Sequence, residues 1–463
     1  MSQLKTIQDA YLPSWLPRLA VHGGPRFLQI ADALQAAITD GALKPGDRLP
    51  PQRQLAAQLA VDLTTVTRAY DEARRRNLLE GRGARGTYVA AAKVELSSLL
   101  DLSMNTPPPP HGVDFAEKLK QGLSQILLHA DSDLLMSYHL GGGSDADRAA
   151  GAQWLAPILP GVRADQLVTC SGAQPALAAL LLCLTAPGEA IVTEAALYPG
   201  MRAAAEQLGR RVIAVEGDEH GMHPYTLEQA CRKHQARVVY LNPTLQNPTA
   251  RTIPEARRRE LAASAQRCDA FIIEDDPYWL LADHAPAPVT LHAPERSCYI
   301  ATLSKCLAPG LRTAFVLLPD AALRERFMQA LRSFVLMSTP LTTALATQWI
   351  HDGTAAQLLA GIRDEARARR QLAHSLLACG SGDGIHLWLK LPGYWTSQEL
   401  VRSALAEGLS IAPAAAFYAT DNPPNAIRIA LGSLREREHL ATALRQLSEL
   451  LARRPALRHQ MVV

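Results

Sequence analysis

The segment TLSKCLAPGLR at 302–312 places a lysine among hydroxyl and guanidinium groups, just after an apolar run. An amine such as that of Lys305 forms a Schiff base with an aldehyde. Phosphate oxygens are bound by hydroxyls such as those of Thr302 and Ser304, and by Arg312 through two parallel hydrogen bonds. The combination suits a phosphorylated aldehyde. A serine–lysine pair with a later arginine is common in proteins, so the segment alone leaves the chemistry open.

In two further segments, an apolar run ends with polar side chains that suit binding of a pyridine ring. FIIEDDPY at 271–278 supplies Asp275, which we assign to a protonated ring nitrogen, and Tyr278, which reaches the phenolate oxygen of the ring. LNPTLQNPT at 241–249 supplies Asn247 as a second donor to that oxygen. Taken alone, either pattern is also expected of an ordinary helix cap or turn.

Two more segments follow apolar runs nearer the amino terminus. SGAQPALAALL at 171–181 begins a helix with small residues, and the free amides of a first helical turn bind phosphate. The candidates there are Gly172, Ala173 and Gln174. Tyr198, after the run AIVTE, is placed to stack on a cofactor ring. Ligands of parallel α/β sheets bind at the carboxyl ends of strands, so the five segments together predict one site.

Seven short apolar runs must position these groups: QLVTC, AIVTE, RVIAV, RVVYL, FIIED, CYIAT and TAFVLL. Amphipathic helical patterns separate them, which indicates an α/β fold with a largely parallel sheet covered on both faces. The ordered set resembles the fold-type-I aminotransferases, which use pyridoxal 5'-phosphate (PLP), over about residues 105–452. The resemblance implies that Lys305 forms the Schiff base with PLP, that Arg428 grips an effector carboxylate, and that Tyr138 of the partner subunit contacts the phosphate.

Three positions depart from the pattern of that family. Ala250 and Ala314 stand where glycine is usual, and Ala196 stands where proline is usual. The residues that hold the cofactor are all present. The departures therefore concern the geometry of the substrate side more than the binding of PLP.

A basic region precedes these motifs. Residues 24–90 hold ten Lys/Arg against seven Asp/Glu, and this difference equals the net charge of +3 of the whole chain. Their patterns predict a helix, a KPGDRLP turn, a short helix, a third helix from TTVTRAY, and a β-wing from GRGARGTYV. The order resembles the winged helix-turn-helix of GntR-type regulators, although Leu63 stands where many relatives have a basic residue. That resemblance implies double-stranded DNA contacts by Arg53, Thr64, Thr65, Arg68, Arg82, Arg85 and Gly86.

Composition limits the remaining possibilities. The 463 residues are 48% apolar and 20% charged, which excludes disorder of the whole chain. No apolar run is long enough for a membrane span, and the amino terminus lacks the apolar core of a signal peptide. The seven cysteines include no CxxC pair. We therefore expect reduced thiols, a cytoplasmic location and no metal site.

We predict three parts: a winged helix-turn-helix DNA-binding domain at 20–90, a linker at 91–104, and an aminotransferase-like PLP-binding effector domain at 105–463. This order resembles the MocR-type regulators, a branch of the GntR group. The resemblance implies a homodimer that binds PLP, responds to PLP or to an amine or amino acid, and controls transcription. The alternative is a working aminotransferase with a DNA-binding appendage. A sensor without PLP is disfavoured by the pairing of Lys305 with Asp275.

Overall fold

The computed structural model describes residues 15, 19–20, 24–76, 78–81, 86–90, 99–139, 141–377 and 382–454. The chain divides into two compact units, Met1–Ser98 and Leu99–Val463.

The described part of the first unit consists of three helices and two short antiparallel strands. Its elements are α1 (Arg26–Thr39), α2 (Gln52–Leu59), α3 (Leu63–Arg75), β1 (Leu79–Gly81) and β2 (Thr87–Val89). Buried Ile30 and Leu34 of α1 belong to one apolar core with Val66 and Tyr70 of α3. Ala60 adopts a left-handed conformation, with φ of 51°, and ends α2 so that α3 begins after a tight turn. This is the predicted helix-turn-helix, followed by the β1–β2 wing.

The second unit alternates helices and strands. Its helices are α4 (Phe115–His129), α5 (Ser132–Leu135), α6 (Asp145–Leu155), α7 (Ala173–Leu184), α8 (Pro199–Gln207), α9 (Pro224–His234), α10 (Glu255–Arg267), α11 (Leu303–Cys306), α12 (Ala321–Phe334), α13 (Pro340–His351), α14 (Thr354–Leu377), α15 (Ser397–Ala406) and α16 (Arg437–Ala452). Its strands are β3 (Leu100–Asp101), β4 (Leu167–Cys170), β5 (Ala190–Glu194), β6 (Arg211–Val215), β7 (Gly217–Asp218), β8 (Gly221–Met222), β9 (Val238–Leu241), β10 (Phe271–Asp275), β11 (Ser297–Thr302), β12 (Ala314–Leu317), β13 (His386–Lys390), β14 (Leu409–Ser410), β15 (Ala412–Pro413) and β16 (Ala426–Ala430).

A seven-stranded sheet forms the centre of this unit, in the order β4-β12-β11-β10-β9-β5-β6. Its strands are the seven predicted apolar runs. All run in one direction except β12, which is antiparallel to both β11 and β4. Residues 303–313 between β11 and β12 include only a four-residue α-helix and a 3₁₀ helix of 3 residues, and no crossover helix of the length that parallel neighbours need. The largely parallel sheet is thus confirmed, with one antiparallel strand, β12, next to the segment 303–313 that carries Lys305.

A smaller sheet joins β13, β16 and β15, and its core includes Leu102 and Ile429. Next to it, β3 pairs with β14 through Leu100 and Leu409. Strand β3 lies inside the segment 91–104 that the composition predicts as a linker. Because its backbone pairs with β14 and Leu102 is buried, residues 99–104 belong to the second unit rather than to a linker.

Among the described residues, none of the helices combines the length and the apolar character that crossing a membrane requires. The six described cysteines are free thiols, and five of them are buried: Cys170, Cys183, Cys231, Cys298 and Cys306.

Candidate functional site

A cavity of about 150 Å³ lies where the parallel strands of the large sheet end. Its lining consists of Ala173, Gln174, Tyr198, Asn242, Asn247, Asp275, Pro277, Tyr278, Thr302, Ser304, Lys305, Pro309 and Arg312. All five sequence segments that follow apolar runs contribute to this lining. The residues nominated separately from those segments therefore meet at one place, with Gly172 just outside the lining.

Lys305 lies on α11, immediately after β11, and its side chain is largely buried. Its Nζ donates to the backbone oxygen of Asn105 over 2.5 Å. Burial lowers the pKa of Lys305 to about 8, the charge of Arg428 acts in the same direction, and Asp275 opposes both. A neutral amine, which is the nucleophilic form, is therefore accessible near neutral pH.

Asp275 is the last residue of β10 and is buried. The hydroxyl of Tyr240 donates to its Oδ2 over 2.8 Å, while Oδ1 has no hydrogen-bond partner among the described residues. Burial raises the pKa of Asp275 to about 6, against the hydrogen bond from Tyr240 and the charge of Lys305. A cationic donor in the cavity would satisfy Oδ1, and a protonated pyridine nitrogen is such a donor. This carboxylate therefore fits PLP.

The amino end of α7 and Arg312 form an anion-binding corner. Gly172 precedes α7 with φ of 99°, and a Cβ there would lie 3.1 Å from Nη2 of Arg312. Arg312 donates to the backbone oxygen of Ser171 over 3.1 Å. The missing side chain lets the guanidinium approach the free amides of the helix, which suits a phosphate.

The hydroxyl groups of Thr302 and Ser304, which flank Lys305 in the chain, lie on the wall of the same cavity. Thr302 Oγ1 accepts from the backbone N–H of Ser304 over 3.3 Å and so caps α11. The same Oγ1 donates to the hydroxyl of Ser304 over 3.1 Å. The cap fixes the start of the helix that carries Lys305. This role adds to the predicted role of the two hydroxyls in binding phosphate.

Arg428 lies in the middle of β16 and is 6% exposed. Its Nη1 donates to Oδ1 of Asn247 over 2.7 Å, and its Nη2 donates to the backbone oxygen of Ser103. Its guanidinium lies 4.6 Å from the ring centroid of Phe417, and its Nε has no hydrogen-bond partner among the described residues. Arg428 thus contacts Asn247 of the cavity wall and retains one buried donor for a carboxylate.

Several polar groups of the site were not singled out from the sequence. Asn242 donates to the backbone oxygen of Asp275 over 2.6 Å and accepts from the backbone N–H of Asn247 over 2.7 Å. Asn242 directly follows the apolar run RVVYL, and this position could have identified it from the sequence as a site residue. Tyr240 lies within the same run, so only its hydroxyl could have indicated a place in the site, and that indication is weaker. Asn105 has no local signal, because only the return of residues 99–106 to the second unit brings it near Lys305.

Tyr138 does not join the Lys305 cavity within one chain. Its side chain is 78% exposed and lines a different cavity of about 670 Å³, together with Asp147 and Met337. Its predicted contact with phosphate depends on the partner subunit and stays a prediction.

The predicted DNA-binding residues of the helices are accessible. Arg53 is exposed on α2, and Thr64 and Thr65 lie in the first turn of α3. Arg68 is also exposed and places its guanidinium 4.3 Å from the ring centroid of Phe27. The amino-terminal half of α3 therefore presents hydroxyl and guanidinium groups suited to base edges and phosphates.

The remaining polar and basic residues of this unit lie in the wing and at the end of α3. Gly86 precedes β2 with φ of 108° and lies against the side chain of Arg48. The predicted wing residues Arg82 and Arg85 lie outside the described residues. At the end of α3, Arg74, Arg75 and Arg76 form ion pairs with Asp71, Glu72 and Asp32. These three arginines are thus engaged within the unit itself.

Two family models match the chain. The model for aminotransferase class I and II matches residues 97–444, and the model for bacterial regulatory proteins of the gntR family matches residues 27–89. The chain belongs to the aminotransferase class I and II family, and its gntR-type region gives it the two-part architecture of the MocR-type regulators. The predicted family and fold class are therefore confirmed.

Individual relatives share both parts or the second part alone. The chain is 29% identical to the uncharacterized HTH-type transcriptional regulator YdeF of Bacillus subtilis, over 96% of this chain and 98% of that protein. It is 27% identical to the vitamin B6 salvage pathway transcriptional repressor PtsJ of Salmonella typhimurium, over 89% and 95% of the two chains. The solved structure of the α-aminoadipate aminotransferase LysN from Thermus thermophilus, complexed with N-(5'-phosphopyridoxyl)-L-leucine, superposes with a TM-score of 0.69. It shares 26% identity over 77% of this chain and 92% of LysN.

Proposed function

We propose that this protein is a PLP-binding regulator of transcription in the cytoplasm. Its second unit senses PLP or an amino compound, and its first unit binds operator DNA. The observation that carries the proposal is the buried amine of Lys305 in one cavity with the unsatisfied carboxylate oxygen of Asp275, in a chain that also has a gntR-type region. Two of the relatives that span both parts are named as regulators, which supports the same function.

Each group of residues that would hold PLP contacts a different part of the cofactor. Lys305 would supply the amine for a covalent bond, and Asp275 would hold a proton on the ring nitrogen. The first turn of α7 and Arg312 would bind the phosphate, and Tyr278 and Asn247 would face the ring oxygen. Bound PLP supplies an aldehyde that combines with primary amines and a ring that withdraws electrons from the adjacent carbon.

A route for sensing runs along the backbone that leads to the first unit. The side chains of Lys305 and Arg428 both donate to carbonyl oxygens of one short segment, those of Asn105 and Ser103. This segment continues from β3, which begins at Leu100, just after the division between Ser98 and Leu99. A ligand that engages the amine of Lys305 competes with its contact to Asn105, and a carboxylate bound at Nε of Arg428 shares that guanidinium with Ser103. Binding at the cavity would thereby act on the part of the chain that leads to the DNA-binding unit.

Exposed apolar side chains support a homodimer. Leu127, Leu128, Met136 and Tyr138 are between 67% and 83% exposed within one short stretch of chain. Clustered apolar exposure of this kind marks protein contacts. We propose that a second copy covers this stretch, which is also the part of the chain that would bring Tyr138 of the partner subunit to the phosphate.

A working aminotransferase is the second candidate. The specific observation in its favour is that the amine, the carboxylate and the anion-binding corner are all present at the cavity. The two functions differ in what an amine does after binding. A sensor changes its affinity for DNA, whereas an enzyme releases keto product and turns over.

One experiment separates the two candidates. PLP-loaded protein is titrated with DNA fragments from upstream of its own and neighbouring genes, with and without a panel of amino acids, while release of keto acid is followed in parallel. A change in DNA affinity of about 5- to 150-fold without sustained turnover supports the sensor. Turnover at about 1 per second or faster, with DNA affinity unchanged, supports the enzyme.

A further inference from the structure

Asn105 connects three polar groups of the cavity. It lies between β3 and α4 and is 3% exposed. Its backbone oxygen accepts from Nζ of Lys305, as described above. Its side-chain Nδ2 lies 3.0 Å from the hydroxyl of Tyr278 and 3.1 Å from Nδ1 of His386. One buried amide group is therefore shared between a tyrosine and a histidine.

The hydrogen bond at the His386 end of this network decides which of its groups donate and which accept. Nε2 of His386 lies 3.1 Å from the backbone oxygen of Gln246, which can only accept, so Nε2 carries the hydrogen. Burial lowers the pKa of His386 to about 3, so the ring is neutral near pH 7 and Nδ1 is a bare acceptor. The group of Asn105 that faces Nδ1 must then be the NH₂. Its two hydrogens are given to His386 and to Tyr278.

A hydroxyl that already accepts a hydrogen bond has its own hydrogen left to donate. Tyr278 lines the cavity together with Lys305, so that hydrogen is available to a ligand there. We propose that Asn105 is a positioning residue, whose amide hydrogens orient the Tyr278 hydroxyl as a donor to the phenolate oxygen of bound PLP. The inference rests on the proposed binding of PLP at Lys305.

Other groups act on Tyr278 as well. The charges of Arg428 and Asp275 and the hydroxyl of Tyr198 face it, and the ring of His386 lies 5.4 Å from its own ring. A change at Asn105 can therefore act through charge or packing as well as through the hydroxyl. Only a comparison with and without the Tyr278 hydroxyl separates these effects.

The test is the pH titration of the visible absorption of the PLP–lysine chromophore in the full-length protein. Asn105→Asp replaces a donor by an acceptor, which draws the Tyr278 hydrogen away from the ring oxygen. A phenolate that loses a donor holds the chromophore proton more tightly. We expect the pKa of the chromophore to rise by about one unit, a tenfold change in the protonation equilibrium.

The same substitution in a Tyr278→Phe background provides the matched control. There only the added charge acts, and we expect less than half of that rise. Equal shifts in both backgrounds, or none in the native one, overturn the inference. If Asn105→Asp does not fold, Asn105→Leu decides by the same comparison, because it removes the amide hydrogens that orient the Tyr278 hydroxyl and adds no charge. Absence of the chromophore in the native protein contradicts PLP binding itself, which is a different result.

Discussion

The hydroxyl of Tyr240 donates to one carboxylate oxygen of Asp275 over 2.8 Å and leaves the other oxygen buried without a hydrogen-bond partner among the described residues. Asp275 is the last residue of β10, and Tyr240 is the second-last residue of the neighbouring parallel strand β9. Tyr240 thus orients the carboxylate without satisfying it. In the protein without PLP this arrangement costs stability, because a buried carboxylate is ionised with only part of its hydrogen bonding.

This cost predicts a pH-dependent effect of Asp275→Asn. The pKa of Asp275 is raised by burial to about 6 in the folded protein from an ordinary value of 3.8, so the folded state holds the proton more tightly than the unfolded state. Stability then falls as pH rises from about 4 to about 6 and stays low above. We expect PLP-free Asp275→Asn to exceed the native protein in stability by up to about 3 kcal/mol at pH 7.5, and by less at pH 5.

Urea unfolding of the PLP-free proteins at both pH values checks this. The same variant should bind PLP more weakly, since a neutral amide lacks the charge that holds a proton on the ring nitrogen. A stability difference that is independent of pH would contradict the titration of Asp275.

Lys305→Ala should abolish covalent capture of PLP, because no other amine is predicted to bond to PLP in the cavity. Borohydride reduction of the PLP-loaded protein followed by peptide mass spectrometry measures the capture. Lys233→Ala, which changes an exposed lysine of α9, is the control and should behave as the native protein. Trapping of PLP on a different lysine in Lys305→Ala would show that the assignment is wrong.

Arg428→Gln should weaken the response to amines that carry a carboxylate by about 10- to 100-fold, the effect of losing a charge-assisted hydrogen bond of about 1.5–3 kcal/mol. Binding of PLP, followed by its absorption, should be retained because the phosphate is held by other residues. The response to an amine without a carboxylate serves as the control. Equal loss for both kinds of amine would point to general damage, and an unchanged response would remove Arg428 from effector binding.

Arg53→Ala and Arg68→Ala should weaken binding to DNA and flatten its dependence on salt. Each lost phosphate contact lowers the slope of log K against log salt by about 0.9. Arg75→Ala is the matched control, since Arg75 is paired with Glu72 in α3. Fluorescence anisotropy over a range of salt concentrations gives the slopes. Slopes that match the native protein in both test variants would contradict the proposed contacts of α2 and α3.

Much of the large sheet was predictable from the sequence alone. Strands β4, β5, β9, β10 and β11 are buried along their whole length except Phe271, which is partly buried, so each reads as a short block rich in apolar residues rather than as an alternating pattern. In a parallel sheet these runs end at one edge, and the polar residue after each run therefore reaches the same cavity. The local order of residues was sufficient to nominate Lys305, Asp275 and Asn247.

Only the tertiary structure decided which polar groups support those residues. Asn105, Tyr240 and His386 carry no periodicity or spacing that links them to Lys305, and they come from the segment before α4, from β9 and from β13. The pairing of β3 with β14 likewise turned part of a predicted linker into backbone that accepts from Arg428 at Ser103 and leads directly to Asn105, which accepts from Lys305. Local sequence determines which strand ends carry chemistry, because burial and turn formation are local. The hydrogen-bond partners of those groups are set by contacts between residues distant in the chain, and those contacts exist only once the sheets have assembled.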